Sequence, residues 1–301
     1  MKTKEIIRIF ATVIITKREM KKILYFLLLQ ASVIACFADE YKDPATNVIY
    51  TYDPASNRAE VKKGYEHDED WYGYLYEPGS PDAKDEIIIL DKITINGKEY
   101  IVDKIGYCAF SYKNNITSVI IPSSVKIIGF GAFLGCTSLS SIVLSEGLDS
   151  IENLAFADCT NLKELSLPKG LKSIGGGALS FCGMSDITIP SSVEEIGDMQ
   201  AFYSPALKTI TSLIKDPFEV YENFNSNLRN VTLRVPVGTK SKYEITSGWR
   251  IFKTIEEFLP TDISSPATNQ ESTLFDLQGR KLQGKPARGI YIKDGQKILI
   301  K

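Results

Sequence analysis

The sequence predicts a β-rich solenoid of stacked coils, with a parallel ladder of one strand per coil, an irregular convex side and strand caps. Two observations predict it. A 23-residue period runs through the middle of the chain, and every period contains a short stretch in which apolar and polar residues alternate. No single period could keep its apolar face out of water, so the periods must stack to form a core.

Composition excludes several other classes of protein. Of the 301 residues, 44% are hydrophobic, 24% charged and 10% aromatic, which is not typical of a disordered, collagen-like or polytopic membrane protein. Because 35 Lys and Arg nearly balance 37 Asp and Glu, we expect no nucleic-acid partner. The only histidine is His67, in an acidic stretch expected to be a solvated loop. A histidine-built metal site and a serine–histidine triad are therefore not expected.

The N-terminus has the pattern of an export signal. Residues 23–38 form an apolar run after Lys21 and Lys22, and the run is too short to span a bilayer comfortably. We predict a signal peptide over residues 1–38 and a protein that is secreted or held at the surface of a Gram-negative-type bacterium. Two modes of processing stay open, which are cleavage after Ala38 and lipidation of Cys36. A lipid on Cys36 is the only membrane attachment that we expect.

Residues 39–104 are predicted to form an N-terminal cap and a leading hairpin. The stretch 47–84 is rich in Tyr and Asp, and the end of a solenoid needs a polar cover. Further along, Asn96 and Gly97 form a strong two-residue hairpin signal. The aromatic residues of the cap would suit stacking on sugars; they are Tyr65, Trp71, Tyr72, Tyr74 and Tyr76.

Residues 105–259 are predicted to form the solenoid and its exit segment, with about five coils between residues 105 and 213. Coils 1 to 5 begin at Ile105, Ile128, Ile151, Ile174 and Ile196. In each coil a strand faces the core with three apolar side chains, and an Ile-Gly-x-x-Ala-Phe segment, whose glycine permits a tight bend, returns the chain. The inward sets are Ile116, Val119 and Ile121; Leu139, Ile142 and Leu144; Leu162, Leu165 and Leu167; and Met184, Ile187 and Ile189.

These rows resemble a known family. Their pattern, Leu-x-x-Leu-x-Leu-Pro-x-x-Leu-x-x-Ile-Gly-x-x-Ala-Phe-x-x-Cys, is similar to the BspA-like (Treponema-type) leucine-rich repeats of bacterial surface proteins. The segments 86–105 and 231–249 resemble the hairpin and the exit segment that flank such repeats. The resemblance covers about residues 47–259 and implies a leucine-rich repeat solenoid with a role in adhesion or protein binding.

The outward face of the ladder is the predicted contact surface. Its short side chains form two columns, which we expect to be accessible to an extended protein or peptide of a host or cell surface. The first column is Ser118, Ser141, Glu164, Asp186 and Thr209, and the second is Ile120, Val143, Ser166, Thr188 and Thr211. The alternative prediction is a polysaccharide-binding accessory protein that uses the aromatic cap.

The sequence contains no pattern that indicates catalysis or a cofactor. Cys136, Cys159 and Cys182 occupy one repeat column, and adjacent coils about 4.8 Å apart would permit a disulfide. We expect free buried thiols instead, because Cys is a small apolar filler in such ladders. A column is a line and does not bring four ligands to one zinc ion. We therefore predict no metal, no cofactor and no enzymatic activity.

The C-terminal region is predicted to contain a linker and a small β-module. Residues 260–273 are polar, and residues 274–301 alternate in polarity around turns at Gln278–Gly279 and Asp294–Gly295. This tail resembles a shortened C-terminal sorting module of the type nine secretion system. An active sorting signal and a vestigial β-module both stay open.

Overall fold

The structure is a computed structural model, and it describes residues 39–63, 65–68, 74–77, 80, 82–221, 226–259, 274–275, 289–293 and 296–300. All of these except Asp39 belong to one compact unit, Glu40–Lys301. The predicted signal peptide with Cys36, and the predicted linker 260–273, lie outside the described residues.

Strands are the main regular secondary structure of the described residues. In chain order the strands are β1 (Asp39–Lys42), β2 (Ile49–Asp53), β3 (Arg58–Val61), β4 (Tyr65–Asp68), β5 (Tyr74–Glu77), β6 (Glu86–Ile88), β7 (Lys92–Ile95), β8 (Lys98–Ile105), β9 (Ser118–Ile120), β10 (Ile127–Ile128), β11 (Ser141–Val143), β12 (Ser150–Ile151), β13 (Ser173–Ile174), β14 (Asp186–Ile189), β15 (Glu195–Ile196), β16 (Thr209–Ser212), β17 (Thr232–Pro236), β18 (Thr254–Phe258), β19 (Leu274–Phe275), β20 (Gly289–Lys293) and β21 (Gln296–Ile300). The helical segments are α1 (Lys240–Ile245) and the 3₁₀ turns Met199–Phe202, Ser226–Asn230 and Trp249–Ile251.

The predicted ladder is present, and we call it the front ladder. It consists of two parallel groups of strands, β6-β9-β11 and β14-β16-β17-β18. The exit segment thus adds two rungs beyond coil 5, because β17 pairs with β16 and β18 pairs with β17 in the same direction. The solenoid prediction is confirmed.

Each coil also contributes a second strand that the one-strand-per-coil description omits. Strands β8, β10, β12, β13 and β15 pair in parallel and bring together the isoleucines at which the five coils begin; we call this the back ladder. These isoleucines are buried. Four of these strands, β10, β12, β13 and β15, have only two residues each and are too short to show an alternating pattern, so the repeats did not predict this ladder.

The N-terminal end of the solenoid is closed by strands. Strands β2 and β3 form an antiparallel hairpin, and β3 extends the back ladder by pairing in parallel with β8. Strands β7 and β8 form the predicted hairpin, in which Asn96 and Gly97 have φ angles of 51° and 79°. These left-handed angles are those of the expected turn. Strand β6 pairs with β9 and is the first rung of the front ladder.

Successive coils contact each other closely. Phe110, Phe133 and Phe156 are fully buried and stack with ring centroids 5.2 and 5.3 Å apart. A Cβ atom on Gly175 would lie 2.3 Å from the backbone nitrogen of Asn153 in the preceding coil. Gly175 does not have a left-handed φ angle, so it is needed here for the close approach of two coils rather than for the tight bend that we expected.

The C-terminal end of the solenoid is held by a buried aromatic pair. The hydroxyl of Tyr243 in α1 donates to the carbonyl of Ile214 at 2.7 Å and lies 2.6 Å from the Ser212 hydroxyl. The ring of Trp249 packs edge-on against the ring of Tyr243. The indole N–H of Trp249 donates to the carbonyl of Phe218.

Beyond the solenoid, β19, β20 and β21 form an antiparallel sheet, in line with the predicted strands of the tail. The predicted turns Gln278–Gly279 and Asp294–Gly295 lie outside the described residues. In the described part of the chain, no helix is both long and apolar enough to cross a membrane.

Candidate functional site

The first predicted column lies on the outward face of the front ladder. Ser141 is paired with Ser118, and Asp186 is paired with Thr209. Glu164 and Asp186 are exposed, and the three hydroxyl residues are half-buried. The structure thus pairs these residues within two groups of strands, and Glu164 lies between the groups in chain order, outside any strand.

The flanking strands extend this column beyond what the repeats predicted. Glu86 is paired with Ser118 at one end, and Thr232 with Thr209 and Thr254 at the other. The extended column contains the carboxylates of Glu86, Glu164 and Asp186 and no Lys or Arg. The repeat pattern did not predict Glu86, Thr232 and Thr254 because it is weaker in the segments that flank the coils. Those segments were assigned to a hairpin and an exit segment.

The second column is accessible only in part. Ser166 is exposed, and Val143 and Thr188 are half-buried. The expectation of an accessible column is wrong at Ile120, which is 2% exposed, and at Thr211, which is 8% exposed. Ile120 is paired between Ile88 and Val143, with which it forms a small apolar cluster. Thr211 is likewise enclosed between Thr188 and Arg234.

The front ladder is interrupted at coil 3. Between intact neighbours, the N–H of Ser140 donates to Thr117 at 3.0 Å, and the N–H of Lys208 donates to Ser185 at 2.8 Å. Among the described residues, segment 163–167 forms no such backbone bond with coil 2 or coil 4. Its sequence, Lys-Glu-Leu-Ser-Leu, lacks the β-branched residues that every neighbouring strand contains, which explains its weaker tendency to pair.

The interruption leaves apolar side chains partly uncovered. Ile142 and Leu144 of coil 2 and Leu165 and Leu167 of coil 3 are only partly buried against the core. Their counterparts in coils 1 and 4 are buried as predicted. The inward sets are thus confirmed completely for coils 1 and 4, and for coils 2 and 3 only at Leu139 and Leu162.

Strand β11 has an unpaired edge toward the interruption. On its coil 1 side, the N–H of Ser141 donates to Thr117 at 3.2 Å and the carbonyl of Val143 accepts from Ile121 at 3.0 Å. Because alternate residues of a strand bond to opposite sides, the N–H and C=O of Ile142 point toward coil 3. A shallow depression of about 580 Å³ adjoins this edge and is lined by Thr117, Ser138, Ser140, Asn161, Lys163 and Glu164.

A second shallow depression, of about 640 Å³, lies near the end of the solenoid. It is lined by Ser191, Val193, Glu194, Ile214, Lys215, Asp216 and Phe218. It contains none of the predicted contact residues. The depression at coil 3 is therefore the one that bears on the predicted face.

The cysteine column is structural. Cys136, Cys159 and Cys182 are free and buried, which confirms the prediction of unpaired thiols. Each thiol donates to the carbonyl of a phenylalanine, at 3.0 to 3.2 Å. Burial raises the pKa of Cys136 and of Cys182 to about 12 and raises that of Cys159 well above its ordinary value. Such neutral thiols are poor nucleophiles and poor metal ligands.

The described residues include no metal-binding cluster and only the backbone of part of the aromatic cap. Within the described residues, no group of three or more His, Cys, Asp or Glu is arranged to hold a metal ion. Of the aromatic cap, only the backbone of Tyr65, Tyr74 and Tyr76 is described, in the antiparallel pair β4–β5. Trp71 and Tyr72 lie outside the described residues. The polysaccharide alternative at the cap stays a prediction.

The structure also reveals exposed aromatic residues that sequence reasoning missed. Tyr112 and Phe181 lie at equivalent turn positions of coils 1 and 4, and these residues are 49% and 43% exposed. Both have left-handed φ angles, of 55° and 54°. Gly135, at the same position in coil 2, was the one sequence sign that this position has an unusual backbone.

A family comparison identifies the repeats. Residues 87–211, which extend from β6 to β16, match the pattern of the BspA type Leucine rich repeat region in six copies. Residues 87–211 are therefore a BspA-type leucine-rich repeat region. Both ladders run through this region and extend beyond it. Leucine-rich repeat proteins are generally non-catalytic.

Solved structures share the fold of this chain. A leucine-rich repeat protein from Bacteroides ovatus superimposes with a TM-score of 0.54 and 24% identity, over 73% of this chain and 54% of that protein. The T. pallidum leucine-rich repeat protein gives 0.52 and 26%, over 65% of this chain and 85% of its own. A leucine-rich repeat protein from Bacteroides capillosus is 30% identical over 57% of this chain and 97% of its own, with a TM-score of 0.38.

The chain thus spans only about half the length of the Bacteroides ovatus protein. No curated protein matches the chain.

Proposed function

We propose that this protein is a non-catalytic binding protein that takes up an extended polypeptide at the interrupted front ladder. The observation that carries the proposal is the unpaired backbone of segment 163–167, which lies beside the unpaired edge of β11. Free N–H and C=O groups at a strand edge are the groups to which an extended peptide adds.

The side chains around the interruption define the partner. A strand that adds here has alternate residues facing opposite sides. Those that face inward meet the partly uncovered Ile142, Leu144 and Leu165, which favour apolar side chains. Those that face outward meet Glu164 and Asp186, which favour Lys or Arg. The partner segment therefore alternates apolar and cationic residues.

Location supports the same role. The apolar run 23–38 after two lysines favours export, and a secreted or surface protein would meet extended polypeptides of a host or of neighbouring cells. Mass spectrometry of the mature N-terminus distinguishes cleavage after Ala38 from an acylated Cys36. A chain that begins at Met1 or Met20 and is found in the cytosol would contradict export.

Deletion of residues 274–301 tests whether the tail acts in sorting. If the tail is an active sorting signal, the shortened protein should be lost from the cell surface.

Peptide binding is tested with the full chain and short synthetic peptides in which Val alternates with Lys, beside matched peptides with Glu in place of Lys. We expect the Lys peptides to bind at least about tenfold more tightly, since Glu would face Glu164 and Asp186. Glu164→Arg with Asp186→Arg should reverse this order. Equal binding of both peptides by both proteins would contradict the partner chemistry.

Addition to the backbone is tested at Ser166. Alternation directs its N–H toward the gap between coils 2 and 3, and this group forms no bond among the described residues. Ser166→Pro removes that donor without removing a native hydrogen bond, so peptide affinity should fall while thermal stability is retained. Ser166→Ala keeps the N–H and is the matched control. Retention of affinity by the proline variant would exclude strand addition at this rung.

A further inference from the structure

A line of residues along the turns of the solenoid forms a second surface, distinct from the front ladder. Tyr112, Gly135, Asp158 and Phe181 occupy equivalent positions in coils 1 to 4, and we call them the turn column. All four have left-handed φ angles, between 54° and 69°. The N–H of each donates to a carbonyl of the next coil at 2.6 to 2.9 Å, so their positions are fixed by the stacking of the coils.

Folding alone does not account for the aromatic residues of the turn column. A left-handed φ angle is unfavourable for a bulky residue and free of strain for glycine, and Gly135 shows that glycine fits this position. The rings of Tyr112 and Phe181 remain nearly half exposed, so they contribute little to the core. Strained and exposed aromatic residues of this kind are typical of binding sites.

The two rings are held as platforms. A Cβ atom on Gly135 would lie 2.5 Å from Cδ1 of Tyr112, so one face of the tyrosine ring rests on the bare backbone of coil 2. Burial and then the charge of Asp158 raise the pKa of Tyr112, which places the carboxylate in electrostatic reach of the phenol. At the other end, Phe181 packs edge-on against Tyr203 with ring centroids 4.7 Å apart.

Neutral polar groups lie beside the turn column. Two residues further along the turns of coils 1 to 3 are Asn114, Thr137 and Thr160, all exposed, and coil 4 has Gly183 at this position. The Oδ1 atom of Asn114 accepts from the N–H of Thr137 at 3.3 Å and from its hydroxyl at 2.9 Å, which orders these side chains across two coils. Asp158 is the only charged residue of the two lines.

We infer that the turn column binds a neutral glycan chain that lies along the solenoid axis. The rings of Tyr112 and Phe181 stack on the C–H faces of sugar rings, and Asp158 accepts hydrogen bonds from sugar hydroxyls. The two rings are three coils apart, or about 14 Å at the usual spacing of strands, which is the length of a short oligosaccharide. A carboxylate at the centre disfavours acidic glycans.

The arrangement fits a glycan better than a protein. A protein interface is centred on clustered apolar residues inside a polar rim. Here Gly135 and Asp158 separate the two platforms, and one amide and two hydroxyls lie beside the turn column in coils 1 to 3. Two rings separated by a hydroxyl-binding carboxylate along one line match a linear polymer of hydroxylated rings.

The test is affinity electrophoresis of the full chain in gels that contain a soluble neutral polysaccharide: a β-glucan, a galactomannan or an arabinoxylan. Polygalacturonate serves as the acidic comparison. We expect retardation by at least one neutral polysaccharide, and a loss of at least about tenfold in affinity for Tyr112→Asn with Phe181→Asn. Asparagine tolerates the left-handed φ angle, so the thermal midpoint should shift by less than about 4 °C.

Controls separate this site from the others. Tyr221→Ala removes an aromatic residue that is 70% exposed and outside the turn column, and it should leave binding unchanged. Glu164→Arg with Asp186→Arg should also leave glycan binding unchanged, so failure of the peptide proposal is distinguishable from failure of this one. Retardation by no neutral polysaccharide refutes the inference. It is equally refuted if the double asparagine variant binds as well as the parent, or if only Trp71→Ala abolishes binding, since that result assigns the glycan to the cap.

Discussion

Replacing Gly175 with alanine should force two coils of the solenoid apart. The new Cβ atom would lie 2.3 Å from the nitrogen of Asn153, whereas ordinary contacts begin near 3.4 Å, so the backbones must separate by about 1 Å. Two hydrogen bonds cross this contact, from Gly175 N–H to Ile151 at 2.7 Å and from Leu154 N–H to Gly176 at 3.0 Å. A displacement of about 1 Å would stretch both beyond hydrogen-bonding length.

The expected loss of stability follows from these contacts. Two hydrogen bonds contribute about 1 kcal/mol each, and overpacking costs about 1–3 kcal/mol, so Gly175→Ala should lower the free energy of unfolding by about 4 kcal/mol. Gly97→Ala is the matched control, because Gly97 has a φ angle of 79° and nothing within 4 Å of the added atom. It should cost only about 1 kcal/mol, for backbone conformation. Urea denaturation followed by circular dichroism measures both, and equal losses would refute the argument from coil contact.

Three further predictions concern the core. Phe133→Ala, between two stacked rings, should cost about 3–5 kcal/mol in urea denaturation, and a loss below about 1 kcal/mol would show that the stack is not tightly packed. Tyr243→Phe removes a hydroxyl that is hydrogen-bonded to Ile214 and Ser212 and should lower the free energy of unfolding by about 1–3 kcal/mol. The fluorescence of Trp249 should then change at a lower urea concentration. An unchanged free energy of unfolding would contradict the role of Tyr243 and Trp249 in holding the end of the solenoid. Burial raises the pKa of Cys136 to about 12, whereas the pKa of a thiol in the unfolded chain is about 8.5. The stabilisation that the neutral thiol provides is therefore complete below about pH 8.5 and is lost as the pH rises toward 12. Stability that does not fall between about pH 8 and pH 11 would contradict this.

Sequence reasoning identified the coils because each begins at an isoleucine that lies in one column. The spacing of Ile105, Ile128 and Ile151 allows these residues to stack, and stacking is what buries them. The hairpin turn at Asn96 and Gly97 was predictable for a local reason, since few residues adopt its φ angles.

The interruption at coil 3 could not be found from the repeat pattern. Leu162, Leu165 and Leu167 satisfy the same apolar spacing as the paired strands, and spacing reports which side faces the core rather than whether a hydrogen bond forms. The absence of β-branched residues was the only available signal, and strand preference depends strongly on neighbours. The burial of Ile120 depends on contacts with β6, which was assigned to a hairpin instead of the ladder.

The left-handed aromatic residues were hidden for a different reason. A backbone angle leaves a trace in the sequence only when glycine occupies the position, as Gly135 does in coil 2. Tyr112 and Phe181 adopt the same conformation without that trace, because the hydrogen bonds between coils impose it. The stacking of the coils therefore imposes a left-handed backbone conformation that the local preference of Tyr and Phe opposes.

The uneven bonding of the two ladders has a mechanical consequence. Backbone hydrogen bonds between coils run along the solenoid axis, so a pull on its two ends acts on the coils in series, and extension begins at the weakest connection. At coil 3 the back ladder is intact through β12 and β13, whereas the front ladder has no bond on either side among the described residues. Under tension the molecule should bend open there, with the back ladder as the hinge. A polypeptide added at the front would supply backbone hydrogen bonds at coil 3 and so stiffen that hinge.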